Sequence, residues 1–281
     1  MILLKGAPAA RKITEELAER SGCFSRRPCI AFVRVGEDPD DLSYERAAQK
    51  RMEKAGASYI VRAFEKDVEE AVFLNELKKI NDDPETDGVL VFRPLPKNIS
   101  EAKAAAVMRP EKDLDCMSDL SLAAVFKGAE GFAPCTAEAV LALLKSYDVP
   151  LCGKRVVIVG RSLVIGKPAA MLFLQENATV TVCHSKTENL KEICREADVL
   201  VAAVGKQEMI DGSYIKEGAA VVDVGIHVKE DGSLCGDCNF ESVSEKAAML
   251  SPVPGGVGAV TTAVLADHLF RAYEALSGEK A

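Results

Sequence analysis

The segment Val159-Gly160-Arg161-Ser162-Leu163-Val164-Ile165-Gly166-Lys167-Pro168 decides the fold of the second half of this 281-residue chain. It is entered from Arg155-Val-Val-Ile-Val159, a short, β-branched apolar run of the kind that forms a fully buried strand. From residue 166 to about 175 the apolar positions recur at helical spacing. A glycine directly after a buried strand lets backbone come close to a phosphate, and the helix N-terminus that follows attracts anions. The spacing is G-x-x-x-x-x-G, which departs from the G-x-G-x-x-G dinucleotide fingerprint. Taken alone, the turn reads equally well as a structural one.

The next strand, 179–183, sharpens the choice. It runs into His184-Ser185-Lys186-Thr187, where an NAD enzyme would place an acidic residue on the ribose 2′-hydroxyl. A hydroxyl and a cation suit a 2′-phosphate better, so NADP is expected in preference to NAD. Further along come a helix over 190–196, strands over 199–203 and 219–223, and a closing helix over 260–276. Asp223-Val-Gly-Ile226 ends one of these strands on the presumed ligand side. The loop Ser251-Pro-Val-Pro-Gly-Gly-Val-Gly258 is stiff with bare backbone. It suits close approach to a flat ligand and equally a tight interdomain connector.

The first half alternates in the same way. A strand over 30–35 ends at Gly36-Glu-Asp-Pro39, and a charged helix over 42–55 is closed by Gly56 as a C-terminal cap would close it. A strand over 58–64 and a helix over 68–80 follow. A buried strand over 88–91 then runs into Pro94-Leu-Pro96, where prolines forbid further pairing. Helices are expected over 100–107 and 136–146. The expected fold is therefore α/β, with two domains and parallel-type sheets covered by helices.

Composition narrows the function. Thirty-five basic against 43 acidic residues leave a net charge of -8, so no basic surplus exists to displace counterions from nucleic acid. No apolar run reaches the roughly 18 to 20 residues that span a bilayer. Met1-Ile2-Leu3-Leu4-Lys5-Gly6 lacks the features of a signal peptide, so a cytoplasmic enzyme with neither a membrane nor a nucleic-acid partner is expected. Nine cysteines, an odd number at irregular spacing, read as reduced thiols. Cys235-Gly-Asp-Cys238 is the one C-x-x-C, and with only His184, His227 and His268 available no metal site is expected.

Several stretches together resemble the methylenetetrahydrofolate dehydrogenase/cyclohydrolase family of bacterial FolD type. They are Val35-Gly-Glu-Asp-Pro39 with Tyr44, Gly88-Val-Leu-Val with Pro94-Leu-Pro96, Pro110-Glu-Lys-Asp-Leu-Asp115, and Pro134-Cys-Thr136. Gly160-Arg-Ser162 with Gly166-Lys-Pro168, Asp223-Val-Gly-Ile226, and Pro252-Val-Pro-Gly-Gly-Val-Gly258 complete the set. The resemblance implies a folate-binding catalytic domain over 1–140, with the last helix (261–281) returning to it. It implies a Rossmann-like NAD(P) domain over 141–260, a folate cleft between the two, and a homodimer. Tyr44 matches the tyrosine that stacks on the folate, and Asp115 the aspartate that hydrogen-bonds the pterin. These two are the candidate catalytic and substrate-binding residues, joined for substrate by Pro254, Gly255 and Gly256. Gly160, Arg161 and Ser162 match the cofactor phosphate turn, Ser185 the residue near the 2′-phosphate, and Ile226 a contact to the nicotinamide half.

Two departures from the family pattern bear on the reaction. The family lysine four residues after the tyrosine is Ala48 here, and the glutamine of V-Q-L-P-L-P is Phe92. In the family the glutamine holds the lysine, which assists water attack on the methenyl carbon. Lys50 lies about 200° away around the helix, and Arg93, next along the strand, is expected on the opposite face. Asp115-Cys116-Met117 also departs from D-G-F. The expected activity is oxidation of 5,10-methylenetetrahydrofolate to the methenyl form with NADP (or NAD), with cyclohydrolase activity weak or absent. Its rivals are a fully bifunctional enzyme yielding 10-formyltetrahydrofolate and a non-catalytic folate- or nucleotide-binding homologue.

Overall fold

The computed structural model describes residues 1–280; Ala281, the end of the expected closing segment, lies outside the described residues. In chain order the first elements are β1 (Ile2–Leu3), α1 (Gly6–Ser21), β2 (Cys29–Val35), α2 (Pro39–Ala55) and β3 (Ser58–Phe64). Next come α3 (Glu70–Asp82), β4 (Gly88–Val91), α4 (Glu101–Val107), α5 (Asp119–Lys127) and α6 (Cys135–Ser146). The chain continues with β5 (Arg155–Val159), α7 (Gly166–Gln175), β6 (Thr179–Cys183), α8 (Leu190–Cys194), β7 (Val199–Ala202) and β8 (Ala220–Asp223). It ends with β9 (His227–Val228), β10 (Leu234–Cys235), α9 (Phe240–Ser244), β11 (Met249–Leu250) and α10 (Gly258–Ser277).

Two compact units form. One comprises Met1–Ala10 and Thr136–Thr261; the other comprises Arg11–Cys135 and the chain from Thr262 onward. This division differs from an N-terminal domain running over 1–140. Ile2 and Leu3 pair in parallel with Met249 and Leu250, and the Leu4 N–H donates to Leu250 O at 2.9 Å. A two-residue strand has no periodicity to read, so the first residues gave no sign that they belong with the later sheet.

The first unit is built on a six-stranded sheet in the order β1-β11-β8-β7-β5-β6, parallel throughout. Strands β7 and β8 are buried along their whole length and β5 is buried from Val156 to Val159, as continuous apolar runs in a parallel sheet should be. Val157, Leu200, Val221 and Leu250 join one core on this sheet. Counted from β5, the order of β6-β5-β7-β8-β11 is 2-1-3-4-5, so the chain reverses direction across the sheet at β5. Ligands of doubly wound sheets bind at that switch point, beyond the C-terminal strand ends.

In the second unit β2 is the middle strand of a parallel sheet, β3-β2-β4. Phe73, Leu77 and Ile80 of α3 pack on Ala31 and Val33 of β2 and on Val89 and Val91 of β4. Helix α2 opens where the Asp38 carboxylate accepts from the Asp40 N–H, with Pro39 in the first turn. Gly56 closes it in the left-handed region at φ +81°. Its buried stripe, Glu45, Ala48, Met52 and Ala55, has helical spacing. Among the described residues no helix is long and apolar enough to cross a membrane, and no group of three or more His, Cys, Asp or Glu side chains is gathered as metal ligands would be.

Candidate active site

Both glycines of the G-x-x-x-x-x-G turn are sterically required. Gly160 leaves β5 at φ +143°, and a Cβ there would lie 2.2 Å from Ala203 O, just beyond β7. A Cβ on Gly166 would lie 2.1 Å from Gly160 O, so the start of α7 packs directly on the turn. Between them, Ser162 Oγ accepts from the Ile165 N–H at 3.1 Å and Ser162 O from the Lys167 N–H at 3.0 Å. Ile165, at the N-cap of α7, has a side chain that makes no capping hydrogen bond to the first turn, which leaves this helix start suited to an anion.

Gly160, Arg161, Ser162 and Ser185 line one cavity of about 410 Å³, together with His184 and Lys206. The turn after β5, the loop after β6 and the loop after β7 thus meet around one space at the switch point. His184 donates its backbone N–H to Thr187 Oγ1 at 2.8 Å and accepts from the Lys186 N–H on Nδ1 at 3.1 Å, which folds the 184–187 loop. Arg161 and Ser185 are exposed to solvent. The cradle of N–H groups, hydroxyls and cations fits a dinucleotide phosphate chain.

The loop after β7 is fixed from below by a residue that the sequence did not single out. Asp237, fully buried, accepts backbone N–H bonds from Val204, Gly205 and Lys206 at 2.7, 3.1 and 2.9 Å. His227 Nε2 sits 2.8 Å from its Oδ1. Asp223 in turn accepts from the N–H groups of Asp237 and Cys238 at 2.9 and 2.8 Å, and burial raises its carboxyl above the usual range. Cys235 and Cys238 are buried free thiols, and burial pushes Cys238 well up. The C-x-x-C segment therefore acts through its aspartate, as a clamp on a loop that lines the cavity.

Ile226, Pro254, Gly255 and Gly256 come together in a second cavity of the same unit, about 320 Å³. Ile226 is 62% exposed, and Asp223 and Gly258 also border the space. The same loop receives the start of α1: the Gly6 N–H donates to Gly255 O at 2.8 Å, and a Cβ on Gly6 would lie 2.1 Å from Gly256 O.

In the other unit, Tyr44 and Asp115 are tied together through consecutive residues. Phe92 meets Tyr44 edge-on, with ring centroids 6.2 Å apart and planes at 80°. Arg93 Nη2 lies 3.2 Å from Asp115 Oδ2. Ala48, one helical turn beyond Tyr44, is fully buried. Arg93 was expected on the opposite face of a continuing strand. Strand β4 ends at Val91, however, so alternation does not extend to residue 93. The other Asp115 oxygen accepts from the Cys135 N–H at the start of α6, at 2.8 Å. Asp113 fixes the turn that carries Asp115, accepting from the Met117 and Ser118 N–H groups and the Ser121 hydroxyl at 2.7–2.8 Å. Cys116 adopts φ +56°, and burial pushes its thiol up to about 12.

Residues 4–115 match the family model for the catalytic domain of tetrahydrofolate dehydrogenase/cyclohydrolase, and residues 134–277 match the model for its NAD(P)-binding domain. The chain belongs to this family. It is 47% identical over 274 residues to the bifunctional protein FolD of Clostridioides difficile (strain 630), with 96% of each chain covered. Among solved structures, it matches the bifunctional FolD of Campylobacter jejuni with a TM-score of 0.95 and 35% identity, covering 98% of this chain and 99% of that one. A Trypanosoma brucei FolD, crystallised with NADP cofactor and an inhibitor, matches with a TM-score of 0.93 and 32% identity over 100% of this chain and 99% of that one. Membership makes the chain an enzyme of folate one-carbon metabolism with a nicotinamide nucleotide domain, in which Arg93 and Asp237 had not been anticipated.

Proposed function

We propose that the enzyme oxidises 5,10-methylenetetrahydrofolate to 5,10-methenyltetrahydrofolate with NADP and hydrolyses that product weakly or not at all. Bound NADP supplies the hydride acceptor. Hydride transfer asks little acid–base work of the protein, because the folate nitrogen already donates electron density to the methylene carbon; alignment is the main requirement. In this reading Tyr44 stacks on the folate and Asp115 accepts from the pterin. Gly160, Arg161 and Ser162 hold the phosphates, Ser185 stands near the 2′-phosphate, and Ile226 with Pro254, Gly255 and Gly256 borders the reacting ends.

The single observation behind the loss of hydrolysis is the Ala48–Phe92 pair. A fully buried methyl and a ring packed on Tyr44 occupy the positions where the family has an amine and its amide partner. Neither can accept or deliver a proton. A bifunctional reading is favoured by the names of relatives such as the C. difficile protein, so the two readings must be separated by assay. Mixing the enzyme with methylenetetrahydrofolate and NADP, then following the methenyl absorption band, does so: a persistent signal supports the proposal, and a transient one supports bifunctionality. No signal with either nucleotide would leave only a binding protein. A homodimer, implied by the resemblance, and a cytoplasmic location belong to the same reading; sedimentation velocity tests the assembly.

A further inference from the structure

We propose that Arg93 is a positioning residue for the pterin half of the substrate, acting through Asp115; this rests on the pterin-binding role given to Asp115 above. Arg93 Nη2 lies 3.2 Å from Asp115 Oδ2 and 3.4 Å from the backbone oxygen of the same residue, so one nitrogen bridges its side chain and main chain. The Cys135 N–H holds Oδ1 at 2.8 Å. Both carboxylate oxygens are thus engaged before any ligand arrives, and rotation of the carboxylate plane is blocked from two sides. Each oxygen still has a further lone-pair direction free for a donor. A pterin presents a ring N–H and an amino group side by side, and a carboxylate receives both only in one plane.

Arg93 is itself well placed to act as a fixed strut. The Phe92 N–H continues the ladder to Val33 O at 2.9 Å, and the Leu95 N–H donates to Glu101 Oε1 at 3.0 Å, so backbone on both sides of it is anchored. An exposed ion pair is worth little, because two mobile side chains in water lose freedom to form it. Here the side chains are 22% and 24% exposed and the carboxylate has a second anchor, which places the pair above that class. The cation also balances the charge of Asp115, so the pterin meets a neutralised rather than an isolated anion.

The test compares Arg93→Leu, Arg93→Gln and Arg93→Lys with Asp115→Ala in the full-length enzyme. The readouts are kcat, KM for each substrate, calorimetric affinity for tetrahydrofolate, and Tm. Arg93→Leu and Arg93→Gln should raise KM for methylenetetrahydrofolate and weaken tetrahydrofolate binding by about tenfold, the scale of one charge-assisted hydrogen bond. The KM for NADP should stay within about twofold, and Arg93→Lys, which keeps the charge, should return part of the loss. A residue that served only folding would lower Tm and disturb both substrates together. Should Arg93→Leu fold poorly, Arg93→Gln carries the same comparison with the side-chain length nearly kept. Impaired folate binding in Asp115→Ala with unchanged binding in both neutral Arg93 variants overturns the Arg93 role alone. Unchanged binding in Asp115→Ala overturns the pterin reading of Asp115 and the role of Arg93 with it.

Discussion

Phe92 stands edge-on to Tyr44, its ring centroid 6.2 Å away and its plane turned by 80°. This aromatic contact fills space beside the proposed folate-stacking tyrosine with a group that has no hydrogen-bonding capacity. Because the family's glutamine holds its lysine, Ala48 and Phe92 are one problem rather than two. A lysine introduced at position 48 alone would enter a fully buried site one helical turn from Tyr44 without its amide partner, and desolvation there disfavours its charged form. A glutamine at 92 alone would have no amine to hold. Ala48→Lys combined with Phe92→Gln should therefore raise methenyl hydrolysis more than the two single changes together, by roughly 100-fold if a proton-transfer step is restored. First-order decay of methenyltetrahydrofolate with both singles and the double variant, corrected for buffer, reads the coupling directly.

In the proposed reading NADP is preferred because Arg161 and Ser185, on the wall of one cavity, reach its 2′-phosphate. Arg161→Ala should weaken NADP binding by ~1.5–3 kcal/mol, the scale of one hydrogen bond to a charged group. NAD, lacking the 2′-phosphate, should lose much less. Titration calorimetry with both nucleotides checks this, and equal losses would contradict the NADP assignment.

Asp237 should matter to the cofactor although it lies under the loop rather than in the cavity. Asp237→Ala removes the acceptor of three backbone N–H bonds and leaves those donors in need of partners. A loss of roughly 2–4 kcal/mol in unfolding free energy is expected, with weaker NADP binding as the 204–206 loop loosens. Denaturant melts with and without saturating NADP separate the two effects, since ligand stabilisation should shrink in the variant.

Thiol chemistry should avoid the site. Cys23 and Cys152 are exposed, whereas Cys116 and Cys194 are buried with their thiols pushed up to about 12. Because the thiolate is the reactive form, these two stay protonated and inert at pH 8. Brief alkylation at that pH, followed by peptide mass spectrometry, should label Cys23 and Cys152 first and leave dehydrogenase activity in place. Rapid labelling of Cys116 with loss of activity would contradict the buried placement of that thiol.

Strands β4 and β5 were legible because burial on both faces writes a continuous apolar run, and β3 and β6, half-buried or exposed along most of their length, because of their β-branched and aromatic residues. Residues 58–64, 88–91, 155–159 and 179–183 were bounded to the residue. Helix α1 was not legible: its buried positions, Gly6, Ala9, Ala10, Thr14 and Leu17, include only one large apolar side chain. Helix α5 hid for the opposite reason, exposing Leu120 and Phe126 while burying Ser121 and Val125. At the site, the glycine turn could be read because close backbone approach needs glycine. The Asp237 clamp could not, since residues 204–206 and 237 meet only through the fold. One signal was available there: a Cβ on Gly236 would lie 2.0 Å from Asp223 Oδ2, so the glycine before Asp237 marks a crowded crossing. The Arg93–Asp115 pair could not be read, since strand alternation gives no guide two residues beyond the end of β4.

The most direct measurement of the central claim is the decay of supplied 5,10-methenyltetrahydrofolate in the presence of the unmodified enzyme, with the same preparation shown to reduce NADP from methylenetetrahydrofolate. The buried Ala48 and the Phe92 ring predict decay close to the buffer rate alongside a robust dehydrogenase. Decay roughly 100-fold or more above buffer, the scale of effective general acid–base assistance, would contradict the account and show that another group activates the water.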